Sequence, residues 1–283
     1  MEKSEDWTIE IYPKSKLLDL NLREVWRYRD LLTLFVRRDF VAVYKQTIFG
    51  PLWFFIQPIL TTIMFMVVFG GIAKMSTDGM PQAAFYLSGI VLWNYFATAL
   101  SGTSNTFVTN KGVFGKVYFP RIITPLSLIV SKLLTFGVQF VLFLGVFSYF
   151  LIFTDAPLQP NAMILFVPVL IIMTAGLALG LGLLITSLTT KYRDFTFLLG
   201  FAIQLGMYAT PIIYPASAIE GIKRTVIMAN PMSAIIETFR YAFLGVGNFS
   251  WASLGYSFGI MVLLLALGTI TFNKVQKSFM DTV

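Results

Sequence analysis

Charged residues nearly vanish from six long stretches of this 283-residue chain: 51–72, 83–107, 124–153, 163–188, 195–214 and 251–272. Each approaches the ~20 apolar residues that a helix needs to cross a bilayer, and the third is long enough to tilt. Only 12% of the residues are charged and the mean hydropathy is +0.76, whereas soluble domains carry ~25% charged residues. Glycine and phenylalanine are plentiful (21 and 28), as suits close helix packing and aromatic contact with lipid or a pore. The expectation is an all-α integral membrane protein with six transmembrane helices per subunit.

Lysine and arginine set its orientation. Lys3, Lys14, Lys16, Arg23, Arg27, Arg29, Arg37, Arg38 and Lys45 precede the first stretch. Loops on the same side add Lys111, Lys116, Arg121, Lys191, Arg193, Lys274 and Lys277, while the other side holds only Lys74, Lys223, Arg224 and Arg240. Cytoplasmic loops carry the basic excess, so both termini are expected in the cytoplasm. Residues 1–50 then form a cytoplasmic tail and interface helix, and 51–283 the six-span domain. Residues 1–20 contain Glu2, Glu5, Asp6, Glu10 and Asp19 and no apolar core, unlike a secretory signal peptide. The net charge of +7 is accounted for by topology, and no nucleic-acid partner is expected.

Several kinds of chemistry are excluded. Without cysteine or histidine, the chain has no disulfide, thiol nucleophile, histidine base or ordinary zinc site. No GxxxxGK[ST] motif is present, so it lacks the common nucleotide cradle. No Asp or Glu falls inside the six stretches, whereas ion-coupled carriers keep an ionisable group in the membrane. Lys132, near the cytoplasmic start of the third stretch, is the exception and is able to snorkel. Uphill transport would therefore draw its energy from another polypeptide. A membrane glycosyltransferase or ligase, the rival of a different class, would need carboxylates or a metal motif. No DxD occurs, and Asp78, Asp155 and Glu220 are scattered singly. No catalytic residue and no metal site is expected.

Five regions carry side chains with more to say. The stretch 22–40 has Leu22, Val25, Trp26, Leu32 and Val36 on one helical face. Arg23, Arg27, Asp30, Arg37 and Arg38 lie on another, and Arg29 intrudes on the apolar side. It reads as an amphipathic interface helix, with Trp26, Arg29, Arg37, Arg38, Asp39 and Lys45 at headgroup level. A simple lipid anchor explains the same pattern. The cytoplasmic loop 108–121 contains Asn110, Lys111, Val113, Phe114, Lys116, Val117, Tyr118, Phe119 and Pro120. Its lysines are enough to enforce topology, but topology does not require its apolar side chains; these suit a knob for a cleft in another protein.

Two spans show polar–aromatic stripes at helical spacing: Phe54, Gln57, Thr61 and Phe65 in the first, and Phe197, Phe201, Gln204 and Tyr208 in the fifth. Rings with scattered amides and hydroxyls hold sugars loosely, though ordinary helix packing produces similar stripes. The outer segment 215–250 contains MSAIIETFRYAFLG, helix-patterned but too short to span, which is read as re-entrant or interfacial helix. Within it Glu237 and Arg240 stand three apart and are expected to pair. Gly176 and Gly180 are assigned to close helix packing.

Five blocks now stand in order: RRDFVAVYKQTIFGPLWFFIQP (37–58), NKGVFGKVYFPRIITPLS (110–127), YRD (192–194), YATPIIYP (208–215) and NPMSAIIETFRYAFLG (230–245). Together they closely resemble the permease subunit of type-2 ABC transporters that export polysaccharides, the O-antigen and teichoic-acid branch. The resemblance implies a homodimer of six-span subunits in the bacterial inner membrane, joined by two copies of a cytoplasmic ATPase. ATP and Mg would belong to that ATPase, with no cofactor bound by this chain. Asn110–Pro120 would be the helix that couples to it. The stripes of the first and fifth spans would line a channel for an undecaprenyl-type lipid-linked glycan, such as that of lipopolysaccharide. Pro231, Glu237, Arg240 and Tyr241 would belong to outer gate helices. Teichoic acid, another lipid or a drug is the alternative cargo. Drug-exporting relatives tend to have a larger outer domain between the first two spans, where this chain has only about residues 74–82.

Overall fold

The computed structural model describes residues 22–45, 47–114, 116–192 and 194–279. The tail before residue 22, Arg193 of the YRD triplet and residues 280–283 lie outside the described residues. Among these the regular structure is entirely helical. Two short helices, α1 (Leu22–Arg27) and α2 (Arg29–Ala42), replace the single interface helix expected over 22–40. They meet at Tyr28, whose backbone (φ −98°, ψ 23°) leaves the helical basin. Then follow α3 (Trp53–Phe65), α4 (Gln82–Ser104), α5 (Thr106–Phe114), α6 (Ile123–Phe153) and α7 (Val167–Lys191). The chain ends with α8 (Asp194–Tyr208), α9 (Gly221–Met228), α10 (Pro231–Leu244) and α11 (Trp251–Phe279).

Among the described residues, five helical segments are long and apolar enough to cross a membrane: Gly50–Ile72, Gln82–Ser104, Ile123–Phe153, Ala162–Lys191 and Trp251–Gln276. The expected fifth of six spans is not among them. In its place α8 has 15 residues, about 22 Å at 1.5 Å per residue, against ~30 Å of hydrocarbon. The reason is local. Pro211 disfavours helical geometry at Thr210 and offers no N–H, and the chain turns through residues 209–213 instead of continuing.

Helix α4 is the core. It is apolar nearly all round, so no face of it prefers water, and it sits among α3, α6, α7, α8 and α10. Two of its buried hydroxyls are absorbed locally: Ser88 donates to the Phe85 carbonyl (2.7 Å) and Thr103 to that of Ala99 (2.8 Å). Helices α7 and α11 approach as closely as backbones allow, as the GLALG stretch suggested. A Cβ on Gly180 would lie 2.8 Å from the backbone of Leu264 and Leu265, and one on Gly176 would lie 2.7 Å from Met261 Cγ.

Helix α10 shows its limits in sequence. Asn230 caps it by accepting from the Met232 amide (3.0 Å), Pro231 opens it, and Gly245 closes it at φ +78°. Its Phe239 and Phe243 pack on Phe143 of α6, with ring centroids 5.3 and 5.1 Å away. At the opposite end Phe35, Phe107, Phe114, Phe119 and Phe272 form a second cluster with Ile122, Ile123 and Leu183.

Gly180→Leu is expected to separate α7 from α11 and to cost about 1–3 kcal/mol of stability. A clear fall in the melting temperature of the detergent-solubilised chain checks this, with Gly137→Leu, where a Cβ meets open space, as the control.

Candidate functional site

At the end bearing α1 and α2, α5 carries the first half of the loop 108–121 as helix rather than turn. Its fold follows from two aromatic anchors. Phe107 stacks on Phe272 of α11 (5.1 Å), and Phe114 packs against Phe107 and Phe119. Phe114 and Phe119 are buried within the subunit, so neither is a free knob. Asn110 is buried too; its amide donates to the Thr106 carbonyl (3.0 Å). Val113 and Pro120 are half-buried. Lys111, Lys116, Val117 and Tyr118 are the exposed members of the set, Tyr118 at 71%. Beyond it Arg121 donates to the Gln276 carbonyl (2.8 Å), tying the segment to the end of α11. Sequence reasoning missed this last link, because a side chain bonded to a distant carbonyl leaves no local pattern.

Helix α2 lies against the same cluster. Phe35 meets Phe119 edge-on at 5.6 Å. Arg38 sits 4.5 Å over the Phe35 ring, pairs with Asp39 at 2.8 Å and reaches the Asn110 side chain at 3.4 Å. The other Asp39 oxygen is buried without a hydrogen bond, and its charge is felt by Lys132 of α6. Arg38 and Asp39 thus belong to an internal junction as much as to a headgroup layer. Trp26, Arg29, Arg37 and Lys45 are exposed, with Arg29 stacked 5.7 Å over Trp26.

The two stripes fare differently. Phe54 is 5% exposed, stacked on Phe40 at 5.3 Å and against Tyr44, and Phe65 is buried against Tyr86. Both are therefore internal packing and present no face to a channel. Gln57 is exposed, and Thr61 is half-buried with its hydroxyl turned back to the Gln57 carbonyl (2.9 Å). The α8 stripe remains open: Phe197, Phe201, Gln204 and Tyr208 all lie on the subunit surface, Phe197 at 80% exposure.

At the far end the expected Glu237–Arg240 pair exists at 3.3 Å, but wholly inside the protein. The Arg240 guanidinium donates to the carbonyls of Pro211, Ile212 (2.7 Å) and Phe85 (3.5 Å) and to the Ser88 hydroxyl (3.3 Å). Its plane also lies 3.7 Å over the Phe85 ring. Glu237 accepts in turn from the Asn248 amide (3.0 Å). Burial lowers the Arg240 pKa to about 10, with Glu237 opposing the shift, so the group remains charged at neutral pH. Pro231 and Tyr241 are half-buried, and Tyr241 stacks on Phe249 at 5.4 Å. The pair was legible from its spacing; its carbonyl partners, from two other segments, were not.

The family model of ABC-2 type transporters matches residues 30–244. The O-antigen export system permease protein RfbA of Klebsiella pneumoniae is 26% identical over 254 residues, covering 89% of this chain and 94% of that protein. Its namesake in Myxococcus xanthus is 25% identical over 264 residues, 93% of this chain and 98% of the relative. The inner membrane transport permease YadH of Escherichia coli K12 is 21% identical over 244 residues, 84% and 90% of the two chains.

Arg240→Met strands the Glu237 charge and the carbonyls of Pro211 and Ile212, and is expected to cost about 3–5 kcal/mol. Replacing both partners with methionine is expected to cost less than the single Arg240 change. Melting of the four chains of this double-mutant cycle checks both statements.

Proposed function

Because the chain belongs to the ABC-2 type transporter family, we propose that it is the membrane subunit of an ATP-driven exporter of a lipid-linked surface polysaccharide of O-antigen type. Two copies would form the pathway in the bacterial inner membrane, each with six spans, both termini in the cytoplasm and a separate ATPase seated beneath. Under this reading α8 crosses together with the turn at 209–213, and α9 and α10 form the outer gate. The relatives named as O-antigen export permeases support the cargo, since they match over nearly their full length.

The observation that carries the proposal is the exposure of Val117 and Tyr118 beside a buried aromatic cluster. Exposed apolar side chains flanked by Lys111 and Lys116 stand on a buried aromatic platform, in a chain with no nucleotide cradle of its own. Such a surface fits a cleft in a partner. Movement delivered there reaches α11 through the Phe107–Phe272 stack and Arg121, and reaches α2 through Asn110 and Arg38. ATP and Mg, in the ATPase, supply the energy.

The exposed α8 stripe faces the pathway. Rings stack weakly on sugar C–H faces, and weak repeated contact suits a polymer that must keep moving. Arg37 and Lys45 attract the pyrophosphate of the carrier lipid near the entrance.

Tyr118→Asp is expected to leave the chain folded in the membrane while abolishing both co-purification of the ATPase and export. Phe114→Asp is expected to lower the yield of folded protein instead, because its ring lies in the platform and its loss costs about 3–5 kcal/mol. Normal export from the Tyr118 variant would sink the docking role. Alanine at both Phe197 and Phe201 should slow polymer export, measured as surface glycan per cell, with the ATPase still bound. Unchanged glycan would remove the stripe from the pathway.

A further inference from the structure

Helix α9 is amphipathic in an unusual place. Ile222 and Val226, one turn apart, are 80% and 68% exposed, while Ile227 and Met228 turn toward the subunit. Lys223 flanks the exposed pair and Arg224 lies on the opposite side of the helix, and both are exposed. They are two of only four basic residues on their side of the sequence, and a third, Arg240, is buried. Glu220, just before the helix, is the acidic neighbour, at the end where the helix dipole favours it.

The depth of α9 is set by α11. Tyr256 donates its hydroxyl to the Ala229 carbonyl immediately after α9 (3.0 Å), and Ser257 donates to Pro231 (2.9 Å). Tyr256 lies only about 7–8 Å along α11 from its start at Trp251. Both of these aromatic residues are exposed, and exposed Trp and Tyr near the end of a spanning helix mark the headgroup boundary.

We propose that α9 lies in the plane of the bilayer surface, on the leaflet opposite α1 and α2. Ile222 and Val226 insert among the acyl chains, and Lys223 and Arg224 engage phospholipid phosphates. A second copy of this chain is the poorer occupant, because an α9–α9 contact through the exposed aliphatics brings like charges together. The lipid contact ties the segment before α10 to the leaflet, beside the block that Arg240 makes of α10 and α4. The inference needs only that the chain spans a bilayer, and it is independent of the cargo and of the ATPase.

The chain contains no cysteine, so single replacements Ile222→Cys, Val226→Cys and Thr225→Cys can each carry an environment-sensitive fluorophore. The full chain is reconstituted in vesicles of phosphatidylglycerol containing lipids spin-labelled just below the headgroup. Labels at 222 and 226 are expected to emit at shorter wavelength than the label at 225 and to be quenched more strongly by the spin-labelled lipid. Lys223→Glu with Arg224→Glu should shift the 226 label back toward its aqueous emission. Quenching of all three labels by aqueous iodide, with none by the lipid, would overturn the proposal. So would a disulfide forming rapidly between two copies of the unlabelled Ile222→Cys chain, which would make this face a subunit contact. Equal lipid quenching with and without the charge reversal would overturn the phosphate contact. None of these readings depends on export, so a failure of the cargo assignment leaves them unchanged.

Discussion

A charged arginine with no access to water holds together the half of this molecule that carries α10. When α8 stops at Tyr208, the carbonyls of Pro211 and Ile212 lose their helical partners while buried inside the subunit, where water does not supply replacements. Arg240 replaces them with one planar fork of donors, and Glu237 compensates its charge. The same fork reaches Phe85 and Ser88 of α4, so α4, α10 and the end of α8 become one block. Gly89 is part of the arrangement, because a Cβ there would meet the guanidinium at 3.0 Å. A lysine has one point charge and cannot satisfy several carbonyls in fixed directions.

The two ends of the subunit are held by different physics. The end carrying α10 depends on a desolvated ion pair, whose loss leaves uncompensated charge. The end proposed to meet the ATPase depends on phenylalanines in edge and stacked contact, together with single long-range hydrogen bonds from Arg38 and Arg121. Aromatic contacts tolerate small sliding better than a fork of directed bonds does. A segment that must respond to a partner is well served by the first kind, and a block that must keep its shape by the second. The unpaired Asp39 oxygen, in the field of Lys132, belongs to the responsive end.

How much was legible varied with the range of the interaction. The long apolar runs, the helix over MSAIIETFRYAFLG and the close packing at Gly176 and Gly180 were readable, because each depends on residues close in sequence or on composition. The fifth run reads as a full span on hydropathy alone, but Pro211 ends its helix early. In the first span the stripe of Phe54 and Phe65 had the right spacing for a lining, yet α2 and α4 cover those rings. Spacing identifies a shared face; it does not say what covers that face. Phe114 and Phe119 teach the same lesson, since apolar residues in a basic loop were as consistent with an internal platform as with an exposed knob.

What the sequence determined by itself is the solvent of each segment. Low charge over ~20 residues leaves a helix little choice but the bilayer, and the absence of a nucleotide cradle was plain from the residues alone. Tertiary structure decided which members of each candidate set are free to act. It left Tyr118 and Phe197 exposed and buried Phe114 and Phe54, although all four are aromatic residues in suggestive positions. It also turned a spacing of three between Glu237 and Arg240 into the buried fastening of three segments. The reason is that burial and directed hydrogen bonds depend on neighbours brought from more than a hundred residues away, as Phe85 and Ser88 are to Arg240. No local pattern encodes those neighbours.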